Sequence, residues 1–576
     1  MAFVRLLMLT LALGSSVCLD NIFYGEFIRP EGTVKVNTLP VTRDQNQPKP
    51  CDSSWAFAIA NAMATQFNAK SSVKSPLVSL SAQMLMNCGG SGFKCAYGEV
   101  EIDMPKILEG LKKDGLSHDS CTNYFSSDEQ VCKAQTRCKD CHNGENILNP
   151  MKCESLDYHE YKLSSFTPLA SKDFEEITKL IHSNLVANGP VICQIQHSED
   201  LFAFRTKKRD QVYEEKGKPS LKTYVSVAGY EDGNWVLQHS FGDNVGYYGY
   251  LIIKDEEAGN PLGLKDNCFA LVVDPKVEIR KNPDDKVSTH SFKSLLTDDG
   301  ISRSNHNQGL RKMGVNFGQW NEGVQPTGDE QPVDWRNKLG VNYLTYVKNQ
   351  HIPAYCGSCW AQSATSMLGD RLKIARAAEN QTFPEFIFSV QSIINCKEGG
   401  SCLGGDSTLI FERAAGWRIP LETCSQYLAI NPSDYRCGPE NLCKISTPSK
   451  VLPVEDFTGI YVKKWGRIRG SAYIKKELER GPVVCSVEVN DDFVNYKPTA
   501  GEDLNIYSKE KDFFEMNHSV EIVGWGIQKG VEYWIMKNSW GFEWGYESVM
   551  YIKAGVNLLG IESDCSYADP VLKEFA

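Results

Sequence analysis

The chain repeats itself, and this repeat limits its architecture more than any other feature of the sequence. The segment 45–57 is matched by the segment 350–362, with every position offset by 305 residues. A chain of 576 residues also exceeds what one hydrophobic core of roughly 250 to 300 residues can support. We therefore predict two copies of one domain. The cysteines that recur in order are Cys51, Cys88, Cys95, Cys121, Cys132, Cys138, Cys193 and Cys268, matched by Cys356, Cys396, Cys402, Cys424, Cys437, Cys443, Cys485 and Cys565.

The two copies are flanked and joined by segments of different character. Residues 1–18 contain a basic Arg5, an apolar run and then small residues, which predicts a signal peptide. The stretch 276–331 is polar and rich in turn residues, so we interpret it as a linker or pro-like segment. The predicted domains are thus 19–275 and 332–576.

Charge and composition limit the classes of partner and the cellular compartments that are compatible with the sequence. A net charge of -11, without clustered Lys and Arg, argues against a nucleic-acid or membrane partner. No later segment has the length and apolar character of a membrane helix. With a signal peptide and 20 cysteines, the protein is expected in the secretory pathway, in a lysosome or vacuole or outside the cell. Asn380-Gln-Thr382 is a glycosylation sequon, which predicts a glycoprotein.

The parity of the cysteines singles out one thiol. With Cys18 assigned to the signal peptide, the first copy has ten cysteines and the second has nine. All ten in the first copy can pair, including the additional Cys141 and Cys153, whereas the second copy must leave one over. Matching the copies identifies Cys359, whose counterpart is Ser54. An odd cysteine in an oxidising compartment is either a leftover or a working thiol.

The surroundings of Cys359 favour a working thiol. Apolar residues at a spacing of four predict an amphipathic helix that begins at the thiol, where the helix dipole favours the thiolate. The second copy contains only two histidines, His351 and His518. His518 begins a strand pattern, and a second strand leads to Asn538, whose amide is suited to orient an imidazole. Gln350 is available as an amide donor to an oxyanion.

These residues resemble the papain family of cysteine peptidases. The motifs are Gln350, Cys356-Gly-Ser-Cys359-Trp360, Gly404-Gly405, Asn517-His518 and Asn538-Ser-Trp540-Gly, and the resemblance covers the whole second copy. It implies a cysteine-type peptidase acting on peptides or proteins, with Cys359, His518, Asn538 and Gln350 as catalytic residues. Substrate would be bound by Gly404, Gly405, Trp540 and His351. Neither a metal nor a cofactor is expected.

The resemblance also implies the fold and its cross-links. We expect an α+β architecture of two tandem papain-like domains, disulfide-rich, each with a helical lobe and a β-barrel-like lobe that meet at a cleft. The implied pairs in the second copy are Cys356 with Cys402, Cys396 with Cys437, Cys424 with Cys443, and Cys485 with Cys565.

Within the family, Asn349-Gln350-His351-Ile-Pro-Ala-Tyr-Cys356 resembles the cathepsin X (cathepsin Z) subgroup. There the histidine of a short loop binds the terminal carboxylate of the substrate, which implies a carboxypeptidase. A cysteine endopeptidase of the same fold, a dipeptidyl-type peptidase and a non-catalytic binding protein are the alternatives. The subgroup blocks its thiol with a propeptide cysteine, and no cysteine lies between Cys268 and Cys356 to do this.

The first copy lacks this chemistry. Alignment places Ser54, Thr223 and His239 at the positions of nucleophile, base and orienter, with Gln45 as the retained amide. A threonine cannot take a proton from a serine hydroxyl. The glycine pair is replaced by Tyr97-Gly98, so a side chain is expected to fill the groove. We hypothesise a pseudoenzyme domain that docks against, positions or restrains the active copy.

Overall fold

The computed structural model describes most of both copies. The predicted signal peptide and most of the predicted linker lie outside the described residues, so nothing is said of their structure. The described residues are 19–28, 34–72, 74–90, 93–98, 102–128, 131–142, 152–256, 259–281, 320–432, 437–499, 503–510 and 515–576.

Each copy contains one long buried helix near its start. Both long helices are rich in alanine and in unbranched side chains, which have high helix propensity and let neighbouring strands approach closely. The helices of the first copy are α1 (Ser54–Lys70), α2 (Ala82–Cys88), α3 (Met104–Lys113), α4 (Ala134–Arg137) and α5 (Phe174–Ala187). Those of the second copy are α6 (Cys359–Ala378), α7 (Val390–Asn395), α8 (Ser407–Arg413), α9 (Pro439–Leu442), α10 (Ser471–Leu478) and α11 (Asp491–Val494).

The described strands of both copies range from two to eleven residues, and most pairs are antiparallel. In the first copy they are β1 (Ile22–Phe23), β2 (Phe27–Ile28), β3 (Lys35–Val36), β4 (Lys139–His142), β5 (Lys152–Ser155), β6 (Tyr158–Glu160), β7 (Leu163–Leu169), β8 (Val191–His197), β9 (Leu221–Glu231), β10 (Asn234–Gln238), β11 (Tyr250–Lys254), β12 (Cys268–Val273) and β13 (Glu278–Arg280). In the second copy they are β14 (Val333–Asp334), β15 (Gly400–Ser401), β16 (Gly404–Gly405), β17 (Ile419–Pro420), β18 (Lys444–Ser446), β19 (Val451–Pro453), β20 (Gly459–Ile468), β21 (Val483–Val487), β22 (Ile506–Tyr507), β23 (His518–Gln528), β24 (Val531–Lys537), β25 (Val549–Lys553) and β26 (Cys565–Lys573).

The main sheets of the two copies have the same strand order. The first runs β11-β10-β9-β8-β12-β7, and the second contains the equivalent order β25-β24-β23-β21-β26-β20. In both, a short N-terminal strand, β1 or β14, pairs with the long central strand. The strand β13 pairs with β6, so the ordered first copy extends into the segment predicted as linker. The shared order confirms the predicted α+β fold of two tandem domains.

Disulfides cross-link both copies. Cys193 lies opposite Cys268 in the first sheet and Cys485 opposite Cys565 in the second, so each pair bridges neighbouring strands. Among the described cysteines, Cys359 is the one outside a disulfide. The nine pairs are Cys51–Cys95, Cys88–Cys132, Cys121–Cys138, Cys141–Cys153, Cys193–Cys268, Cys356–Cys402, Cys396–Cys437, Cys424–Cys443 and Cys485–Cys565.

Each copy has a large core in the helical lobe and another in the sheet lobe. In the second copy Trp360 is buried in the helical lobe and Trp534 in the sheet lobe. The copies also touch one another, since the Phe383 ring of the second lies 4.8 Å from that of Phe23 and 4.7 Å from that of Tyr250 in the first. In the described part of the chain, no helix has both the length and the apolar character needed to cross a bilayer.

Candidate active site

The thiol of Cys359 lies at the first residue of helix α6. The helix packs against strand β23, and Ser363, one turn after the thiol, is 2.9 Å from Ser519 through their hydroxyl oxygens. Because Ser519 follows His518, this contact holds the helix start beside the first residue of the strand. The thiol therefore lies where the positive end of the helix dipole favours a thiolate.

His518 and Asn538 form a direct hydrogen bond. The Nε2 of His518 lies 2.8 Å from the Oδ1 of Asn538, which also accepts a bond from the backbone N–H of Ser539 at 2.8 Å. The backbone of Asn538 is itself held by Ser548, through its carbonyl and its hydroxyl. Since the amide oxygen accepts from Nε2–H, the Nδ1 of the imidazole carries the lone pair. That Nδ1 has no hydrogen-bond partner within the described residues.

Aromatic rings enclose the imidazole of His518. The Trp540 ring centroid lies 5.0 Å from that of His518, and Phe493 packs edge-on at 5.9 Å. This burial lowers the pKa of His518 to about 4, although the hydrogen bond that the ring donates to Asn538 acts in the opposite direction. As long as Cys359 is an uncharged thiol, the His518 ring is therefore uncharged near neutral pH and can accept a proton.

Gln350 is fixed by four hydrogen bonds. Its backbone N–H donates to the Ser539 carbonyl at 2.8 Å, and its Oε1 accepts from the Ser539 hydroxyl at 2.8 Å. Its Nε2 donates to the carbonyl of Cys356 at 3.3 Å, and the backbone carbonyl of Gln350 accepts from the hydroxyl of Tyr427. One proton on Nε2 remains for a ligand beside the thiol.

The glycine pair of strand β16 lies on the ring of Trp360. A Cβ added at Gly405 would come within 2.5 Å of that indole, and Gly404 has a backbone φ of +113°. Both positions therefore require glycine, because a side chain would clash or be strained. The backbone of a strand without side chains can pair with an extended peptide.

His351, like His518, packs against the ring of Trp540. Its ring stacks on Tyr355 with centroids 5.3 Å apart and lies 5.5 Å from Trp540. Its Nδ1 is 3.1 Å from an oxygen of Asp140, a residue of the first copy. Its Nε2 is buried and has no hydrogen-bond partner within the described residues.

In the first copy, the hydroxyl of Tyr97 accepts a proton of the Gln45 amide. The equivalent proton of Gln350 in the second copy is left for a ligand. Gln45 repeats the bonds of its counterpart, since Nε2 donates to the Cys51 carbonyl and Oε1 accepts from Ser240. Its second Nε2 proton, however, is donated to the hydroxyl of Tyr97 at 2.8 Å. The hydroxyl of Ser54 accepts from the backbone N–H of Tyr224 at 3.1 Å.

The remaining positions of the first copy are also occupied by other bonds. The hydroxyl of Thr223 is 2.9 Å from the Nε2 of His197. Both nitrogens of His239 engage backbone groups, the carbonyl of Val245 and the N–H of Phe241. Burial lowers the pKa of His239 to about 3, so the ring is neutral.

Sequence reasoning missed two kinds of contact. The residues that hold Gln350 from behind, Ser539 and Tyr427, have counterparts Ser240 and Tyr124 with the same bonds, so the duplication could have revealed them. Asp140 had no such signal, since it reaches His351 across 211 positions and has no acidic counterpart.

Comparison with known proteins agrees with this geometry. The family model described as papain family cysteine protease matches the chain twice, over residues 33–271 and 330–569. Among curated proteins, Cathepsin Z of Onchocerca volvulus is 37% identical over 255 residues, covering 42% of this chain and 79% of that protein. Pro-cathepsin H of Bos taurus is 30% identical over 256 residues, covering 43% of this chain and 68% of that protein.

Among solved structures, the ragweed pollen cysteine protease Amb a 11 in its proform matches with a TM-score of 0.37 and 24% identity. The match covers 48% of this chain and 77% of that one.

Proposed function

The chain belongs to the papain family of cysteine proteases, and from this premise we propose that its second copy removes residues from the C-terminus of peptides. The catalytic residues of the proposal are Cys359, His518, Asn538 and Gln350. Their support is geometric: a thiol at a helix start, an imidazole on the adjacent strand and an amide bonded to its far nitrogen.

In the proposed reaction, the Nδ1 of His518 takes the thiol proton, and the Cys359 sulfur attacks the scissile carbonyl carbon. The carbonyl oxygen becomes an oxyanion, which the second Nε2 proton of Gln350 and the backbone N–H of Cys359 stabilise. The imidazolium then protonates the leaving amine, and the C–N bond breaks. Water, deprotonated by the same imidazole, hydrolyses the thioester and restores the thiol.

The observation that supports cleavage at the chain end is the position of His351. Its ring and that of His518 both lie on Trp540, at 5.5 and 5.0 Å. The space between the attacked carbonyl and His351 is thus on the order of one to two extended residues, each roughly 3.5 Å long. A protonated imidazole there favours a substrate whose carboxylate ends at that point.

We propose that the first copy is a pseudoenzyme that stays docked on the second. Tyr97 takes the oxyanion donor of Gln45, and His239 has no nitrogen left to activate Ser54. The contacts of Phe383 with Phe23 and Tyr250 support docking. The nine disulfides among the described residues fit an oxidising compartment, so we propose that the protein works in the secretory pathway, in a lysosome or vacuole or outside the cell.

The test uses pairs of peptides with the same sequence, one a free acid and one amidated at the C-terminus. Wild type is expected to release single C-terminal residues and to prefer the free acid at least about tenfold in kcat/KM, since the amide lacks the charge that His351 binds. Cys359→Ser should abolish turnover. His351→Ala should remove the preference while its activity on the amidated peptide remains.

Product masses decide between the proposal and its alternative. Equal hydrolysis of both peptides, with fragments cut from the chain interior, would identify an endopeptidase. An unchanged preference in His351→Ala would likewise contradict the proposed role of this residue.

A further inference from the structure

We propose that Asp140, a residue of the first copy, is a positioning residue of the carboxylate site in the second copy. It would hold His351 by one ring nitrogen and leave the other nitrogen for the terminal carboxylate of the substrate. This inference rests on the proposed function. It assigns the catalytically degenerate domain a part in substrate recognition, since the site is incomplete without Asp140.

The contact geometry supports a positioning role. The Nδ1 of His351 lies 3.1 Å and 3.4 Å from the two oxygens of Asp140, while Tyr355 and Trp540 hold the ring between them. The imidazole is fully buried, yet its Nε2 has no hydrogen-bond partner in the described part of the chain. A buried polar atom without a partner costs free energy, and a hydrogen-bonding ligand group that reached it would remove this cost.

The chemistry of the pair fits an anion at Nε2. When the Nδ1 proton is donated to the carboxylate of Asp140, a doubly protonated ring presents its Nε2–H as a charge-assisted donor. The ring then bridges two carboxylates, one from Asp140 and one from the peptide. The orientation is fixed before the substrate arrives, so less rotational freedom is lost on binding.

The surrounding interface is reciprocal, which indicates that it is a specific contact. The backbone N–H of Phe542 donates to the Ser120 hydroxyl at 2.9 Å, and that of Asp243 donates to the Thr423 hydroxyl at 3.0 Å. Ser120 and Thr423 are equivalent positions of the two copies, as are Asp243 and Phe542. The same bond is therefore made twice with the roles exchanged, as in an isologous dimer.

This symmetry breaks at the proposed site. Counting from the equivalent cysteines Cys138 and Cys443, the counterpart of Asp140 is Ile445, and the counterpart of His351 is Asn46. The charged pair is thus formed only on the side that holds the proposed catalytic residues.

The hairpin that carries Asp140 is also reinforced on this side. The Cys141–Cys153 disulfide, which has no counterpart in the second copy, links strands β4 and β5. The ammonium of Lys139 donates to the Pro353 carbonyl at 3.2 Å, which ties the hairpin to the loop of His351. The hairpin is therefore built to present Asp140 at a fixed place.

The test measures Asp140→Asn and Asp140→Ala in the full chain with the paired free-acid and amidated peptides. Glu154→Gln is the matched control, because Glu154 lies opposite Asp140 on the neighbouring strand. This substitution removes one negative charge from the same pair of strands. We expect Asp140→Asn to lower kcat/KM for free-acid peptides about tenfold, mainly through KM, with the amidated peptide unaffected. Alkylation of Cys359 and the activity of Glu154→Gln should stay at wild-type levels.

A double variant separates positioning from a general structural effect. In a His351→Ala background, Asp140→Asn should have no further effect, because Asp140 acts through that ring. An unchanged free-acid preference in Asp140→Asn would overturn the inference. A rise in free-acid hydrolysis would also overturn it, since Asp140 would then block the site as a mimic of the terminal carboxylate. A wild type without any preference would contradict the proposed function itself.

Discussion

At the residue scale, the proposed site depends on side chains that use some of their polar groups in internal hydrogen bonds and keep one for the substrate or the thiol. The amide of Gln350 uses one Nε2 proton on the Cys356 carbonyl and keeps the other. His518 uses Nε2 on Asn538 and keeps Nδ1. In the first copy, Tyr97 takes the equivalent amide proton. At this amide, a single tyrosine hydroxyl distinguishes an occupied donor from an available one.

Gly405 offers a residue-scale prediction. An alanine there would place its Cβ within 2.5 Å of the Trp360 ring, so Gly405→Ala should lower the free energy of unfolding by about 1 to 3 kcal/mol. It should also raise KM, because strand β16 must shift. The control is Gly416→Ala, where an added Cβ meets no atom within 4 Å. Urea unfolding and peptide kinetics check both variants, and equal stabilities would contradict the packing argument.

At the element scale, the two long helices begin at equivalent positions, but the residues that face their first turns differ. Helix α6 begins at Cys359 and α1 at Ser54, and each packs against the central strand of its sheet. Both first residues therefore lie at the positive end of a helix dipole. The difference comes from the facing strand, which begins with His518 in one copy and has Thr223 in the other.

This comparison predicts the behaviour of a transplanted thiol. In the double variant Ser54→Cys with Cys359→Ser, the new cysteine has the helix dipole but no imidazole base. We expect it to react with iodoacetamide at pH 6 at least about tenfold more slowly than Cys359 in wild type, because it stays a thiol. Mass mapping of the modified peptide measures both rates. Comparable rates would show that the helix alone activates the cysteine.

At the scale of the whole molecule, buried acids lie where the copies meet. Asp243 contacts Thr423 across the interface, and burial raises its pKa to about 7. Asp44 is buried in the same region, and burial likewise raises its pKa to about 7. Each acid stays protonated in the folded chain over a range of pH in which it ionises in the unfolded chain. The assembled molecule is therefore favoured by acidic conditions through these two groups.

The pH dependence of stability tests this point. As pH rises from about 4 to about 7, the unfolded chain loses the Asp243 proton and the folded chain keeps it, so the free energy of unfolding falls. Asp243→Asn removes this titration. Between pH 5 and pH 7.5 the variant should lose about 2 kcal/mol less stability than wild type.

Chemical denaturation at both pH values provides the measurement. Asp503→Asn, at an exposed side chain of the second copy, is the control and should follow wild type. If the free energy of unfolding changed by the same amount between the two pH values in Asp243→Asn and in wild type, a buried, protonated Asp243 would be contradicted.

The sequence by itself determined the duplication, the family and the fold, because these depend on local patterns and on cysteine and motif spacing that survive in the linear order. It also identified Cys359, since a match between two copies exposes the one position where a cysteine stands against a serine. The strand order common to both sheets follows from the same duplication.

Only the tertiary structure decided which residue contacts the ring of His351. Asp140 and His351 are 211 residues apart, belong to different copies and carry no shared motif, so no periodicity or spacing links them. Their contact depends on how two folded surfaces pack, which is set by many contacts at once, from the paired backbone bonds to Ser120 and Thr423 to the hairpin closed by Cys141. Local sequence specifies each element, but the partner of a surface side chain is fixed only when the copies come together.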